Sequence, residues 1–181
     1  MTATWGDLIL PEPVVSQLRQ IAADVQMHDR GLDEWNIKRG PRGIGVLFAG
    51  ARSTGKSLAA QVLAHELKRA LTRVDLAAVV SQYLGETEKH LEQVFDEAAT
   101  AGVVLLFDEA DALFGRRSEV KDAHDRYANL EVAYLLQRME SHPGLVILTT
   151  SRKAALDPAF TRRLRYLVDF PFPGVAERKR M

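Results

Sequence analysis

The stretch from Gly50 to Ser57, GARSTGKS, combines glycines, a lysine and a hydroxyl in a spacing suited to holding phosphate groups. Gly50 and Gly55 permit backbone conformations in which successive N–H groups point inward and form an anion-binding nest. A helix predicted directly after the loop would aim the positive end of its dipole at the same point. Lys56 can reach the β- and γ-phosphates, and the Ser57 hydroxyl can ligate Mg²⁺. The alternative is a chance match in a glycine-rich turn, and the position between a strand and a helix argues against it.

The loop as a whole is therefore predicted to bind a nucleotide. The predicted binding residues are Gly50, Ala51, Arg52, Ser53, Thr54, Gly55, Lys56 and Ser57.

A pair of acids, Asp108 and Glu109, follows the apolar run 103–107 and supplies the second half of this chemistry. Asp108 would bind Mg²⁺ through water, and Glu109 would orient and polarise the water that attacks the terminal phosphate. A strand ending in solvated acids is the simpler interpretation of the pair alone, but the phosphate loop favours the metal and water roles. Asp111, in the same acidic stretch, could support this region, but a helix N-terminal acid is the simpler interpretation. The sequence predicts binding of a nucleotide and Mg²⁺, with hydrolysis.

The elements that must position these residues alternate along the chain. Strands are predicted over 45–49, 73–76, 103–107, 145–149 and 166–170. Helices are predicted over 14–27, 58–68, 86–99 and 126–140. Apolar strands that alternate with helices imply an α/β sandwich around a mainly parallel sheet.

Length and composition favour a soluble protein. The chain has 181 residues, of which 46% are hydrophobic and 27% charged, as expected of one globular domain. Its 24 basic and 24 acidic side chains balance, which argues against a nucleic-acid or anionic-membrane partner. The absence of cysteine excludes disulfides and thiolate metal sites. No apolar run approaches the roughly 20 residues of a membrane span, and no signal peptide begins the sequence, so we expect a cytoplasmic protein.

Four further stretches resemble motifs of the AAA+ ATPases, and more narrowly of the AAA branch. They are SQYLGETEKHLEQVFDEA (81–98), LLFDEADALFG (105–115), ILTTSRKAALDPAFTRRL (147–164) and VDFPFPG (168–174). The resemblance covers about 45–172. It implies a P-loop NTPase fold, a three-layer α/β/α sandwich with a five-stranded sheet of order 5-1-4-3-2. It also implies ATP hydrolysis that drives the remodelling or unfolding of a polypeptide substrate in a homo-oligomeric ring, a hexamer.

The resemblance assigns roles to two more groups of residues. Tyr83, Leu84 and Gly85 match the family's pore loop, which would grip an extended polypeptide; a turn with a partly buried tyrosine is the alternative. Arg162 and Arg163 match the arginines that reach the γ-phosphate bound by a neighbouring subunit, and are predicted to be catalytic in that sense. A longer spacing would instead pair Arg162 with Arg165. In the simplest alternative, these arginines form a basic, solvent-exposed helix end.

The sequence also departs from the family's pattern. Arg52 and Ser53 replace the small and proline residues that are usual in the loop. Ser151 stands where the family commonly has a water-positioning asparagine, although Thr150 could substitute. Ser151 is kept as a candidate catalytic residue, but the shorter side chain puts efficient hydrolysis in question.

The ends of the sequence lead to further expectations. We predict an N-terminal helix and approach segment over 1–43, a large ATPase subdomain over 44–174 and the start of a truncated lid linker over 175–181, with the helical lid absent. Weak nucleotide binding and slow hydrolysis are expected from a truncated module. The alternative function is therefore a nucleotide-binding scaffold with little hydrolysis.

Overall fold

A five-stranded sheet lies at the centre of the computed structural model, which describes residues 3–35, 43–82, 86–111, 123–153, 156 and 158–178. The strands are β1 (Ile44–Ala49), β2 (Leu71–Asp75), β3 (Val104–Asp108), β4 (Leu145–Thr150) and β5 (Tyr166–Asp169). Their spatial order is β2-β3-β4-β1-β5, and neighbouring strands in the described chain pair in parallel. The predicted order 5-1-4-3-2 is confirmed, since it is the same order counted from the other edge.

Helices cover both faces of this sheet. The longer ones are α1 (Glu12–Trp35), α2 (Lys56–Glu66), α3 (Leu76–Gln82), α4 (Thr87–Ala101) and α5 (Ala123–Ser141). Single turns form α6 (Pro158–Thr161), α7 (Val175–Arg178) and a 3₁₀ helix at Trp5–Asp7. None of the helices in these described ranges is long and apolar enough to span a membrane.

Two hydrophobic layers hold the helices to the sheet, and alternate residues of each strand serve them in turn. In β1, Val46 and Phe48 pack in the layer that contains α1 and α2, whereas Leu47 packs on the other face with α3, α4 and α5. This alternation follows from the period of two along a strand. Because the centre of the sheet is buried on both faces, the three central strands β3, β4 and β1 are almost continuous apolar runs, whereas the edge strand β2 has exposed polar residues. The three-layer α/β/α sandwich is thereby confirmed.

The structure corrects the predicted end of β2. The sequence prediction extended this strand to Leu76, whereas the strand ends at Asp75 and Leu76 begins α3. The Asp75 carboxylate accepts hydrogen bonds from the backbone N–H groups of Ala77 (2.9 Å) and Ala78 (3.2 Å). An aspartate that satisfies the first N–H groups of a helix in this way is an N-cap, and it starts the helix at the following residue. Helix α1 also extends beyond its predicted end at residue 27, to Trp35.

Parallel pairing places the carboxyl ends of the strands at one edge of the sheet. Ala49 pairs with Thr150, and Asp75 pairs with Asp108, so the segments that follow β1, β3 and β4 emerge side by side. In open α/β sheets, ligands bind in the crevice at this edge. The phosphate loop, the acid pair and Ser151 all lie there.

A buried histidine, His142, directly follows α5 and is 4% exposed. Its ring meets the Phe95 ring edge-on, with 5.6 Å between centroids. Burial, assisted by the positive charges of Arg138 and Arg69, lowers the pKa of His142 from 6.5 to about 4. The folded protein therefore keeps this imidazole neutral over a range in which the unfolded chain takes up a proton.

We expect this difference to make folding pH-dependent. The stability contributed by neutral His142 is complete above pH 6.5, the unfolded pKa, and is lost as pH falls toward 4. Between pH 7.5 and 5 the loss amounts to about 2 kcal/mol in the free energy of unfolding. Urea unfolding at both pH values should show that His142→Gln removes this part of the pH dependence, whereas the exposed-site control His65→Gln keeps it. The prediction is wrong if the free energy of unfolding changes by the same amount between these pH values in wild type and in His142→Gln.

Candidate functional site

The loop between β1 and α2 closes around the side chain of its own lysine. The Lys56 Nζ donates hydrogen bonds to the carbonyl oxygens of Gly50 and Ala51, each over 2.6 Å. The buried Thr54 hydroxyl donates to the Ala51 carbonyl over 2.9 Å and braces the same turn. Burial lowers the pKa of Lys56, and the Arg52 charge adds to that effect, while Asp108 and Asp111 oppose it. These hydrogen bonds hold the Lys56 ammonium group against the backbone of the loop.

The backbone of the loop presents helix α2 to the site. Gly55 is the N-cap residue of α2 and has φ +95°, a left-handed conformation that glycine adopts without steric cost. Its residue type offers no side chain to cap the helix, so the first N–H groups of α2 have no side-chain acceptor there. A helix N-terminus with free N–H groups and a positive dipole end is an anion-binding site.

Gly50, at the other end of the loop, is required for a different reason. The chain leaving β5 passes so close that a Cβ added at Gly50 would lie 2.3 Å from the carbonyl oxygen of Phe170. The Phe170 N–H also donates to the Ala49 carbonyl over 2.7 Å, which fixes this approach.

A cavity of about 210 Å³ lies over the loop at the carboxyl edge of the sheet. Its lining residues come from the phosphate loop, the end of β3 and the end of β4: Arg52, Ser53, Gly55, Lys56, Ser57, Leu58, Asp108, Glu109, Asp111, Thr149, Thr150 and Ser151. The cavity therefore brings together the predicted metal and water-activating residues and five of the eight predicted nucleotide-binding residues. Gly50, Ala51 and Thr54 do not line it, and neither do the arginines near the C-terminus. Tyr83, Leu84 and Gly85 lie outside the described residues.

Asp108 is held in its ionised form at the edge of this cavity. Its carboxylate accepts hydrogen bonds from the Thr149 hydroxyl, from Arg73 Nη2 (2.5 Å) and from the Glu109 N–H (3.1 Å). Burial raises the pKa of Asp108, but the bond from Thr149 and the Arg73 charge outweigh it, so the net shift is downward. A carboxylate that is ionised and already oriented can bind a cation without reorganisation.

The oxygen donors present fit Mg²⁺. Ser57 and Asp108 both line the cavity, and hydroxyl and carboxylate oxygens are ligands that Mg²⁺ accepts. Within the described ranges no cluster of three or more His, Asp or Glu side chains could hold a metal alone. Mg²⁺ typically takes its remaining ligands from substrate phosphates and water, so this sparse donor set suits a metal that arrives with a nucleotide.

Glu109 has a strained backbone and a half-exposed side chain. Its φ of +55° is left-handed, which is uncommon outside glycine. Its N–H donates to Asp108 Oδ1 (3.1 Å) and to the Thr149 hydroxyl oxygen (3.2 Å), and these bonds hold the strained backbone. The side chain is half exposed and pairs with Arg52 over 3.2 Å. Such strain is characteristic of residues whose position serves function.

Asp111 joins the end of β3 to the end of β4. Its carboxylate accepts hydrogen bonds from the Thr150 hydroxyl, the Ser151 N–H (2.9 Å), the Ser151 hydroxyl (2.7 Å) and the Arg152 N–H (3.3 Å). The interpretation of Asp111 as a helix N-terminal acid does not account for these hydrogen bonds. The Ser151 hydroxyl proton is donated to Asp111, so it is not available to a water molecule at the same time.

The arginines near the C-terminus differ in their partners. Arg163 Nε pairs with Glu140 over 3.0 Å, and Arg165 Nη2 pairs with Asp24 over 3.3 Å. Arg162 is exposed and forms no ion pair with the described residues. Of the three arginines it is the one whose guanidinium has no ion-pair partner in the described part of the chain.

These arginines also lie at the edge of the sheet opposite the cavity. The Arg165 N–H donates to the carbonyl of Gly45 at the start of β1, whereas the phosphate loop begins at the end of that strand. At about 3.3 Å per residue, the five residues between these points span about 16 Å. Arg162 therefore does not line the cavity of its own subunit.

Among the contacts of the site that the sequence interpretation missed are those of Asp108 with Arg73 and with Thr149. A signal for the first exists, because Arg73 is two residues before Asp75 and Asp75 pairs with Asp108 across the β2–β3 ladder. That signal depends on strand register, which the spacing of residues along the chain does not give.

Comparison with known proteins decides the family. Residues 46–173, well over half of the chain, match the family described as "ATPase family associated with various cellular activities (AAA)". The chain belongs to the AAA family. The matched region includes the phosphate loop, both acids and the arginine segment.

Several relatives share the AAA region. The chain is 33% identical over 141 residues to 26S proteasome regulatory subunit 10B of Dictyostelium discoideum, covering 74% of this chain and 36% of the relative. It is 32% identical over 141 residues to the proteasome-activating nucleotidase of Methanosarcina mazei, covering 74% and 34%. It is 31% identical over 124 residues to a cell division cycle protein 48 homologue of Archaeoglobus fulgidus, covering 67% and 17%. The AAA region here thus spans about a third or less of these relatives.

Proposed function

We propose that this AAA domain binds ATP with Mg²⁺ and hydrolyses its terminal phosphate bond. The observation that carries the proposal is the convergence of Lys56, Ser57, Asp108 and Glu109 on one cavity at the carboxyl edge of the sheet. Membership of the AAA ATPase family supports the same reaction.

Each residue has a role that its geometry supports. The N–H groups of α2 and the Lys56 ammonium bind phosphate oxygens, and Lys56 exchanges its bonds to the Gly50 and Ala51 carbonyls for bonds to phosphate. Ser57 and Asp108 would hold Mg²⁺, which would neutralise charge on the phosphates. Glu109 orients the attacking water and accepts its proton.

Assembly of several copies into a ring, in the form of a hexamer, belongs to the proposal. Arg162 lies at the sheet edge opposite its own cavity and has no ion pair within the described chain, so it is free to reach a nucleotide held by a neighbour. An arginine supplied in trans stabilises the charge of a phosphoryl-transfer transition state. We further propose that the ring acts on a polypeptide, gripped by Tyr83, Leu84 and Gly85, and that residues 44–174 form the ATPase subdomain of each copy, preceded by the approach segment 1–43.

A second candidate function, a nucleotide-binding scaffold with little hydrolysis, is favoured by Ser151. This residue stands where the resemblance implies a water-positioning asparagine, and its hydroxyl proton is committed to Asp111. The turnover number of the wild-type chain separates the two candidates, since a scaffold binds ATP without releasing phosphate above background.

Nucleotide binding itself is tested by replacing the loop lysine. Lys56→Ala is expected to weaken ATP and ADP binding about 100-fold, because charge-assisted hydrogen bonds to phosphate are lost. The measurement is calorimetric titration with each nucleotide in the presence of Mg²⁺, followed by a phosphate-release assay. Lys89→Ala, an exposed lysine on α4, is the matched control and should bind like wild type. Unchanged affinity of Lys56→Ala would count against the proposed site.

A further inference from the structure

Arg52 is the one residue of the phosphate loop whose side chain pairs with the candidate water-activating glutamate. Its Nη2 lies 3.2 Å from Glu109 Oε1, and the two side chains are 81% and 50% exposed. The resemblance to AAA proteins leads one to expect a small or proline residue at this position, so the family's general chemistry does not account for the contact.

The other carboxylates of the cavity have different partners. Asp108 is bound by Thr149 and Arg73, and Asp111 by Thr150 and Ser151. In the described part of the chain, the Glu109 carboxylate has Arg52 as its side-chain partner. The position of the Glu109 carboxylate therefore depends on the position of the Arg52 guanidinium.

That cation is available to a ligand. An ion pair exposed to solvent is weak, because water screens it and both long side chains lose freedom in forming it. A terminal phosphate offers a guanidinium two parallel charge-assisted hydrogen bonds in addition to more negative charge. Arg52 also lines the same cavity as Lys56 and Ser57, the predicted phosphate and metal ligands.

We propose that Arg52 recognises the terminal phosphate of a nucleoside triphosphate from within the same subunit and, by moving to it, releases Glu109 to the attacking water. The proposal rests on the proposed nucleotide site. It assigns Arg52 to triphosphate selectivity, because a diphosphate held by the loop amides and Lys56 lacks the group that would draw Arg52 from Glu109. Glu109 is accordingly restrained until a hydrolysable ligand is present.

A thermodynamic cycle tests this coupling. Affinities for ADP and for a non-hydrolysable ATP analogue, both with Mg²⁺, are measured by calorimetry for wild type, Arg52→Ala, Glu109→Gln and the double variant. Arg52→Ala should weaken binding of the analogue about tenfold and change ADP binding by less than about twofold. Glu109→Gln should strengthen binding of the analogue about two- to threefold when Arg52 is present, and not when Arg52 is replaced.

The same titrations include a control variant and can contradict the proposal. Arg152→Ala removes an equal charge from the residue after the cavity-lining Ser151, and should not reproduce the selective loss. An equal weakening of ADP and analogue by Arg52→Ala, or the same gain from Glu109→Gln in both backgrounds, would overturn the role of Arg52. Failure of wild type to bind either nucleotide would instead overturn the proposed function, whereas retained ADP binding shows that the variants are folded.

Discussion

Replacing Glu109 with Gln is expected to reduce ATP hydrolysis by a factor of about 10² to 10⁴ while leaving nucleotide binding in place. The amide is close to the carboxylate in shape but cannot accept the proton of the attacking water. The strained backbone at this position is held by N–H bonds to Asp108 and Thr149, which the substitution leaves intact. Phosphate release at saturating ATP and Mg²⁺ measures the rate, and calorimetric titration measures the affinity.

Glu97→Gln on α4 is the matched control for Glu109→Gln. The side chain of Glu97 is exposed and does not line the cavity, so this variant should hydrolyse ATP at the wild-type rate. If wild type releases phosphate above background, a Glu109→Gln protein with the same turnover would remove Glu109 from the reaction. A wild-type rate no higher than the background without protein would favour the scaffold function instead.

Arg162→Ala is expected to lower the ATPase rate of an assembled ring by about 10³-fold or more, the lower end of the range for arginine fingers. The physical reason is loss of a cation that faces the phosphate charge developing in a neighbouring subunit. Arg163→Ala is the sharpest control, because Arg163 is already paired with Glu140 and should give a much smaller loss. An equal loss from both variants would contradict the assignment of the finger to Arg162 alone.

Mixed rings test whether Arg162 acts between subunits. When Arg162→Ala subunits are mixed with wild-type subunits at increasing ratio, activity should fall more steeply than the wild-type fraction, because each variant subunit disables the site of its neighbour. Activity that falls in strict proportion to the wild-type fraction would argue against action in trans. Mass measurement of the same mixtures verifies that the rings remain assembled.

The parts of this structure that were predictable from sequence depend on local patterns. The three central strands are almost continuous apolar runs because the sheet is buried on both faces there, and the phosphate loop is identifiable because its residues are consecutive. The start of α3 also depends on a local signal, because Asp75 is its N-cap residue. The sequence prediction followed the apolar pattern of β2 instead and extended the strand to Leu76.

The contacts that adjust the site were not predictable in the same way. Arg73 and Asp108 are 35 positions apart, and Asp111 and Ser151 are 40 positions apart, so each pair depends on how strands align in the sheet. The pairing of Arg52 with Glu109, 57 positions apart, likewise requires the loop and the end of β3 to be placed together. Residue type indicated that these side chains could interact, but only the fold determines which of them meet.

The close approach at Gly50 has a consequence for mutagenesis of the phosphate loop. An alanine methyl at Gly50 would clash with the Phe170 carbonyl. A loss of activity in Gly50→Ala could therefore come from disturbed packing between β1 and the chain leaving β5 as readily as from lost ligand contacts. At Gly55 the same methyl would meet nothing closer than 3.9 Å, and the penalty would arise from φ alone. Gly55 is consequently the cleaner position at which to probe the anion-binding backbone.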